Sequence, residues 1–308
     1  MVGKSGSRAT ALQITTLQGS AELMIAPPDG IDAGTTVTGC GNVSGGGNEM
    51  TENTAGHMGV LAGKVALVTG SAKRLGRAVA LRLATEGADM LIHHGNSRAE
   101  AQETVAEIEK MGRRAVAFAA DLRKVSEIRS LFEEVGKVFG RLDILVNSAA
   151  NFLPASIIST TEEIWDASLD TNLKAGFFCA QAAAPWLRRT RGAIVNFADA
   201  GGLMGWPGYI PHSISKAGVV MLTKVLAKAL APEVRVNAIA PGTITMPGDP
   251  PEWEADFVKL APLGRTGTPS DIADAVLYLI QAKFMTGHTL VLDGGRILGT
   301  NGAEFRGG

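Results

Sequence analysis

From Lys64 onward the chain alternates short, largely apolar stretches with helix-length segments, and that alternation leaves very few folds open. Stretches 65–68, 90–93, 115–120, 144–146, 193–197, 235–239 and 289–292 read as strands. Segments 77–86, 98–110, 125–139, 162–184 and 212–230 read as helices, with helical pieces running on to residue 281. Gly87 closes the first helix, and Ser97 with Glu100 stands as a capping box for the second, which ends at Gly112. A strand that is apolar at every position has both of its faces covered. Strands separated by helices pair in parallel through right-handed crossovers. The expected fold is therefore α/β: a single Rossmann-type doubly wound parallel sheet with helices on both faces. Ligands of such sheets bind beyond the C-terminal ends of the strands. Gly70, His93, Asp121, Asn147, Asp199 and Pro241 all follow strands, so one crevice should collect them.

Composition sets the outer limits. With 308 residues, 45% hydrophobic and 19% charged, the chain has ample material for a core. A formal net charge of −1 without a basic block offers nothing to nucleic acid or to a membrane surface. No apolar run reaches the roughly 18 residues of a membrane span, and the N-terminus lacks a charged-then-apolar signal layout. Cys40 and Cys179 form neither a metal nor a disulfide pattern, which fits a reducing cytoplasm. Residues 1–57 are rich in Gly, Thr, Ser and Asn without a sustained period. They read as a disordered tail, with a transit-like or partner-binding arm as the alternative. Residues 58–300 read as the folded domain and 301–308 as a flexible C-terminal tail. Met58 opens the folded unit and is a candidate translation start, which an intact mass of native protein decides.

Two places carry chemistry. The turn Thr69-Gly70-Ser71-Ala72-Lys73-Arg74-Leu75-Gly76 joins the first strand to the first helix. There, backbone N–H groups can reach a pyrophosphate at the positive helix end. After the second strand, a NAD-selective site would place Asp or Glu against the ribose 2′-hydroxyl. This chain has His93-His94-Gly95-Asn96-Ser97-Arg98 instead, with Arg74 nearby, and that set favours a 2′-phosphate, hence NADPH; a satisfied strand-end histidine at 93 and a solvated helix-start cation at 98 are the plain alternatives. The second place is Asp199 at the end of 193–197, followed by His212 and Lys216 on one helix. Residues at i and i+4 share a helix face. An acid, an imidazole and an ammonium would then converge as proton-transfer machinery; a solvated helix start with incidental charges is the plain alternative.

Together these motifs resemble the short-chain dehydrogenase/reductase family over roughly residues 60–298. They comprise Thr69-Gly70 with Gly76, Asp121, Asn147-Ser-Ala-Ala150, Asn172, the 199–216 constellation, Pro241-Gly242 and Asp293-Gly294-Gly295. Within that family the chain looks similar to pteridine reductases. The shared features are Lys73-Arg74-Leu75-Gly76, His93 with Ser97, Asp199 in place of the family's usual serine, Phe152 after the fourth strand, and Gly208-Tyr209. The resemblance implies that Gly70, Ser71, Arg74, Leu75, Gly76, His93, Ser97 and Arg98 hold NADPH. Asp121, Leu122, Asn147, Ala149, Lys216, Pro241 and Gly242 would complete its site, Asp121 meeting adenine and Lys216 the nicotinamide ribose. It further implies that Asn172 holds a water linking Lys216 to solvent and that Asp199 handles a proton near the substrate. Phe152, Asp199, Trp206 and Tyr209 would line the substrate site, though Trp206 serves equally well as a core aromatic.

Departures from the family pattern matter as much. The family's proton-donating tyrosine falls at position 212, which is histidine here. An imidazolium can also donate, and imidazole titrates near neutrality. Lys216 and an oxidised nicotinamide oppose its charge, and Asp199 offsets part of that. Imidazole is shorter than phenol, which brings in a bridging water, or Tyr209 one turn upstream as a substitute donor. Asn96 stands where pteridine reductases favour arginine, and Arg98 is the compensating candidate. Two functions remain open: an NADPH-dependent reductase of a pterin- or folate-like C=N or of a carbonyl, or an NADP(H)-binding pseudoenzyme acting as sensor or scaffold. Residues 245–263 read as a lid. Residues 269–280 and 289–292 look like the family's assembly-forming parts, implying a homotetramer or dimer.

Overall fold

A computed structural model describes residues 59–299. The expectations for the tail 1–57, for Met58 and for 301–308 lie outside the described residues. The chain runs β1 (Val65–Val68), α1 (Arg74–Thr85), β2 (Asp89–His94), α2 (Arg98–Lys110), β3 (Ala115–Ala119) and α3 (Val125–Val138). It continues through β4 (Ile144–Asn147), α4 (Glu162–Leu169), a π-helical turn (Asp170–Lys174), α5 (Ala175–Thr190) and β5 (Ala193–Phe197). Then follow α6 (Gly201–Met204), α7 (Ile210–Leu230), β6 (Arg235–Pro241), α8 (Pro251–Val258), α9 (Pro269–Gln281) and β7 (Thr289–Leu292), with a 3₁₀ turn at Arg296–Leu298.

Alternate residues of a strand enter different cores, which is why β1 is apolar at every position. Ala66 and Val68 of β1 pack with α1, α2 and α9, among them Val79, Leu83, Ile108 and Ile272. Val65 and Leu67 face the other way, onto α3, α5 and α7, against residues such as Leu131, Leu187 and Leu226. The seven strands are all parallel, in the order β3-β2-β1-β4-β5-β6-β7. The chain therefore reverses its direction of travel across the sheet at β1 and β4, and the crevice above their C-terminal ends is the expected ligand site. The doubly wound parallel sheet read from the sequence is the fold observed.

Several boundaries differ from the sequence reading for local reasons. α1 starts at Arg74, three residues early, because Arg74 takes a left-handed φ of 51° and folds the turn directly into the helix. Ser97 occupies the N-cap of α2 but its side chain caps nothing, and Glu100 pairs instead with Lys73 of the glycine turn. The long helix expected over 162–184 is interrupted by the π turn, which carries Asn172, and it runs past Pro185 to Thr190. No helix of the described residues is long and apolar enough to cross a membrane.

Candidate active site

The ends of β1 and β4 are tied by Thr69, which is buried. Its hydroxyl oxygen accepts from the N–H groups of Ser148 and Ala149 at 2.9 and 3.0 Å. Above this joint lies a cleft of about 1250 Å³. It runs from the Gly70–Gly76 turn past Asp121 and Ala149 to Asp199, His212, Lys216, Pro241 and Gly242. That exceeds the roughly 300–1,000 Å³ of an ordinary small-molecule pocket and suits a dinucleotide together with a second molecule.

The turn has the shape a pyrophosphate requires. Gly70 has a φ of 67°, and a Cβ there would crowd Ala149; a Cβ on Gly76 would run into the Gly70 carbonyl. Only glycine lets the backbone come this close, with α1 opening just behind it. Ser71 and His93 brace the turn from inside. The Ser71 hydroxyl donates to Val68 O at 2.7 Å and accepts from His93 N at 3.1 Å. Gly70 N–H donates to His93 Nδ1 at 2.9 Å, and His93 Nε2–H reaches Ala120 O at 3.0 Å. Burial pushes His93 down to about 4, so the ring is neutral. Although His93 reaches the cleft wall, both ring nitrogens serve the fold, which favours the satisfied strand-end histidine over a phosphate contact.

Ser97 and Arg98 do not reach the cleft; Lys73, Arg74, Gly95 and Asn96 line it at that end. Lys73, quoted from the sequence as part of the turn but not as a cofactor contact, lines this end and pairs with Glu100. Arg74 Nη1 meets Asp249 at 3.3 Å, connecting the glycine turn to the loop before α8. Leu75, Gly76 and Leu122 line the same end. Asp121 also lies on the wall, but Arg123 binds its carboxylate through two side-chain nitrogens at 2.9 and 2.8 Å. That pairing holds the carboxyl down at about 2.

At the other end the sequence-predicted triad is assembled. α7 buries His212 and Lys216 on the face turned to β5. Lys216 Nζ donates to Phe197 O at 2.7 Å. Burial pushes its ammonium down to about 8, with Asp199 pulling the other way. His212 Nδ1 lies 3.3 Å from Asn151 O; a carbonyl only accepts, so Nδ1 carries a hydrogen. His212 Nε2 is buried without a hydrogen-bond partner among the described residues and stands 3.8 Å from Asp199 Oδ1. That oxygen also accepts the Gly201 N–H at 2.6 Å.

Asn151 is a residue the sequence reading did not single out, because it acts through its backbone. Asn172 Oδ1 accepts from Asn151 N at 2.8 Å, and its amide nitrogen donates to Asn151 O at 3.2 Å and Ser215 Oγ at 3.1 Å. Both amide hydrogens of Asn172 are thus engaged by the chain: it holds Asn151 directly, where the resemblance implied a bound water. Asn147, behind the cleft, donates to Asn196 Oδ1 at 2.9 Å. Phe152, Trp206 and Tyr209 meet around His212. Phe152 stacks on Tyr209 with centroids 4.2 Å apart, and Trp206 lies nearly parallel to the imidazole at 6.3 Å. Backbone bonds between Ala155 and the Gly208–Ile210 segment fasten the Phe152 loop to the start of α7.

A family described as Enoyl-(Acyl carrier protein) reductase, one of the short-chain dehydrogenase groups, matches residues 70–296. The chain is a short-chain dehydrogenase/reductase. It is 38% identical over 241 residues to the 3-oxoacyl-[acyl-carrier-protein] reductase FabG of Staphylococcus aureus, covering 75% of this chain and 97% of the relative. Identity is also 38% over 248 residues to the 3beta-hydroxysteroid dehydrogenase 1 of Eggerthella lenta, covering 77% and 95%. Among solved structures, the angucycline C-6 ketoreductase LanV with bound NADP superposes with a TM-score of 0.74 at 30% identity, over 78% of this chain and 98% of that one. A putative short-chain alcohol dehydrogenase from Sinorhizobium meliloti gives 0.73 at 36% identity, with the same coverage. As a short-chain dehydrogenase/reductase the chain is an oxidoreductase built for a nicotinamide cofactor, and the turn and cleft fit one. The relatives named here are reductases and dehydrogenases of carbonyl and hydroxyl groups, not pteridine reductases.

Proposed function

We propose that this short-chain dehydrogenase/reductase reduces a carbonyl compound with NADPH, using Asp199, His212 and Lys216 to handle the proton. The observation that carries the proposal is His212 Nε2: buried, unpartnered among the described residues, on the cleft wall and 3.8 Å from Asp199 Oδ1. With Nδ1–H fixed on Asn151 O, Nε2 is the one ring atom left to exchange a proton with a ligand. In reduction, an Nε2–H donates to the substrate oxygen as it becomes a hydroxyl, and Asp199 balances the imidazolium charge. The Lys216 ammonium binds the nicotinamide ribose and favours negative charge developing on the substrate oxygen. Asn172 positions the site by fixing Asn151.

Bound NADPH supplies the hydride. Gly70, Leu75, Gly76, Asp121, Leu122, Ala149, Pro241 and Gly242 form its cradle, with Ser71, His93 and Asn147 as bracing behind it. Preference for the 2′-phosphate rests on the lack of a carboxylate at the end of β2 and on Lys73, Arg74 and Asn96 there. The similar proteins are named for 3-oxoacyl, ketone and hydroxysteroid substrates, so a ketone or 3-oxoacyl group ranks first. A pterin ranks second, supported by the Phe152, Trp206 and Tyr209 patch beside Asp199. The same proposal includes a homo-oligomer acting in the cytoplasm, and gel filtration giving a clean monomer would count against the assembly.

The test is NADPH oxidation by purified protein over a panel of ketones, a 3-oxoacyl thioester and 7,8-dihydrobiopterin, with NADH as control. Turnover of the carbonyl compounds, faster with NADPH than with NADH, is the expected result. Tight NADPH binding with no substrate reduced would replace the proposal by the pseudoenzyme reading.

A further inference from the structure

Arg296 enters the cleft from the C-terminal side, and the chain goes to some length to place it there. Asp293 ties the preceding turn through both carboxylate oxygens, accepting from Gly295 N at 2.8 Å and Ile297 N at 2.7 Å. Gly294 and Gly295 take φ values of 64° and 87°, open to glycine without strain. Gly242 lets this turn approach the end of β6, since a Cβ there would strike Asp293. The result is a half-buried Arg296 lining the same cleft as Asp199 and His212.

Its surroundings leave most of its hydrogen-bonding capacity for a ligand. The guanidinium lies 5.1 Å over the Trp206 ring and 5.5 Å from the Phe257 ring. One nitrogen donates to Thr243 Oγ1 at 2.7 Å, and Arg296 forms no ion pair with any described residue. Asp199 and Asp293 act on it through space, and burial works against its charge. A buried or half-buried cation is costly unless something pairs with it. A guanidinium close to two aromatic rings, with one nitrogen engaged by Thr243, keeps further N–H donors of its planar fork free, and these match a planar carboxylate with two parallel bonds.

We infer that Arg296 is the specificity-determining residue of a carboxylate subsite, and that the substrate is a carbonyl compound bearing a carboxylate on an apolar or aromatic body. The carbonyl oxygen takes His212 Nε2, the body lies against Phe152, Trp206 and Phe257, and the carboxylate takes the Arg296 fork. This placement rests on the reductase reading for the carbonyl end only; the carboxylate end stands on Arg296 alone.

The test therefore separates binding from turnover. Benzoate and benzamide, matched in shape and differing in charge, are titrated calorimetrically into the full chain with and without NADP, for wild type, Arg296→Met and Arg296→Lys. The expected result is a preference of about tenfold or more for benzoate in wild type. It should be lost in Arg296→Met and partly kept in Arg296→Lys, with circular dichroism showing both variants folded. In turnover, the ratio of kcat/KM for a keto acid over its methyl ester should collapse in Arg296→Met, mainly through KM. No preference in wild type, or a preference that survives Arg296→Met, would overturn the inference. If benzoate binds as expected but no carbonyl compound is reduced, the subsite stands and the reductase reading falls.

Discussion

His93 shows how a single buried ring can set an acid limit on the whole fold. It accepts the Gly70 N–H on Nδ1 and donates from Nε2 to Ala120 O, a pattern available only to neutral imidazole. Burial lowers its pKa from the ordinary 6.5 to about 4. Between those pH values the unfolded chain binds a proton that the folded chain does not, so stability rises with pH there. The contribution is complete above about 6.5 and is lost as pH falls towards 4; its size is about 3 kcal/mol. Replacing His93 by Asn, which can still accept from Gly70, should flatten the acid limb of a Tm–pH profile across that window. An unchanged limb would assign it to another group. The sequence placed His93 at the right strand end but left it between a cofactor contact and a satisfied strand-end histidine. The two hydrogen bonds that claim its ring come from residues 23 and 27 positions away, so no local pattern reveals them. Arg296 was missed for the opposite reason: it follows a legible Asp-Gly-Gly turn, yet its direction depends on where β6 and β7 end.

At the level of elements, the active site depends on the fit between α7 and the interrupted α4–α5 helix. The π turn carries Asn172 inward, and Asn172 holds the backbone of Asn151, whose carbonyl in turn fixes His212. Replacing Asn172 with Ala removes three hydrogen bonds from this chain of contacts. It should lower kcat about 10- to 100-fold through misplacement of the imidazole, with NADPH affinity retained because the glycine turn is untouched. Fluorescence titration of NADPH beside steady-state kinetics reads the split; lost affinity with kcat retained would contradict it. The sequence made the triad legible, because His212 and Lys216 at i and i+4 must share a face and Asp199 must follow its strand. The long helical region expected over 162–184 forms, but the π turn inside it was not legible, since such a turn leaves the apolar pattern intact while adding a residue. The capping box at Ser97 failed because Lys73, on another element, takes the Glu100 carboxylate.

Across the whole molecule, seven apolar stretches alternating with helices admitted little besides a parallel doubly wound sheet, and that sheet is what forms. The crevice followed from topology alone, at the point where β1 and β4 diverge in connection. Finer assignments did not follow, because they depend on which of several neighbouring polar residues turns inward. Thus Lys73 and Asn96 line the cleft, whereas Ser97 and Arg98 do not. The central claim is that the imidazole at position 212 is the proton donor of a working reductase. Its most direct test is single-turnover NADPH oxidation with a reducible ketone by wild type, His212→Phe and His212→Tyr. Reduction by wild type that falls about 10²- to 10⁴-fold in His212→Phe, with NADPH binding intact, is the predicted result. A wild type that binds NADPH yet reduces nothing, beside a His212→Tyr variant that gains activity, would contradict it.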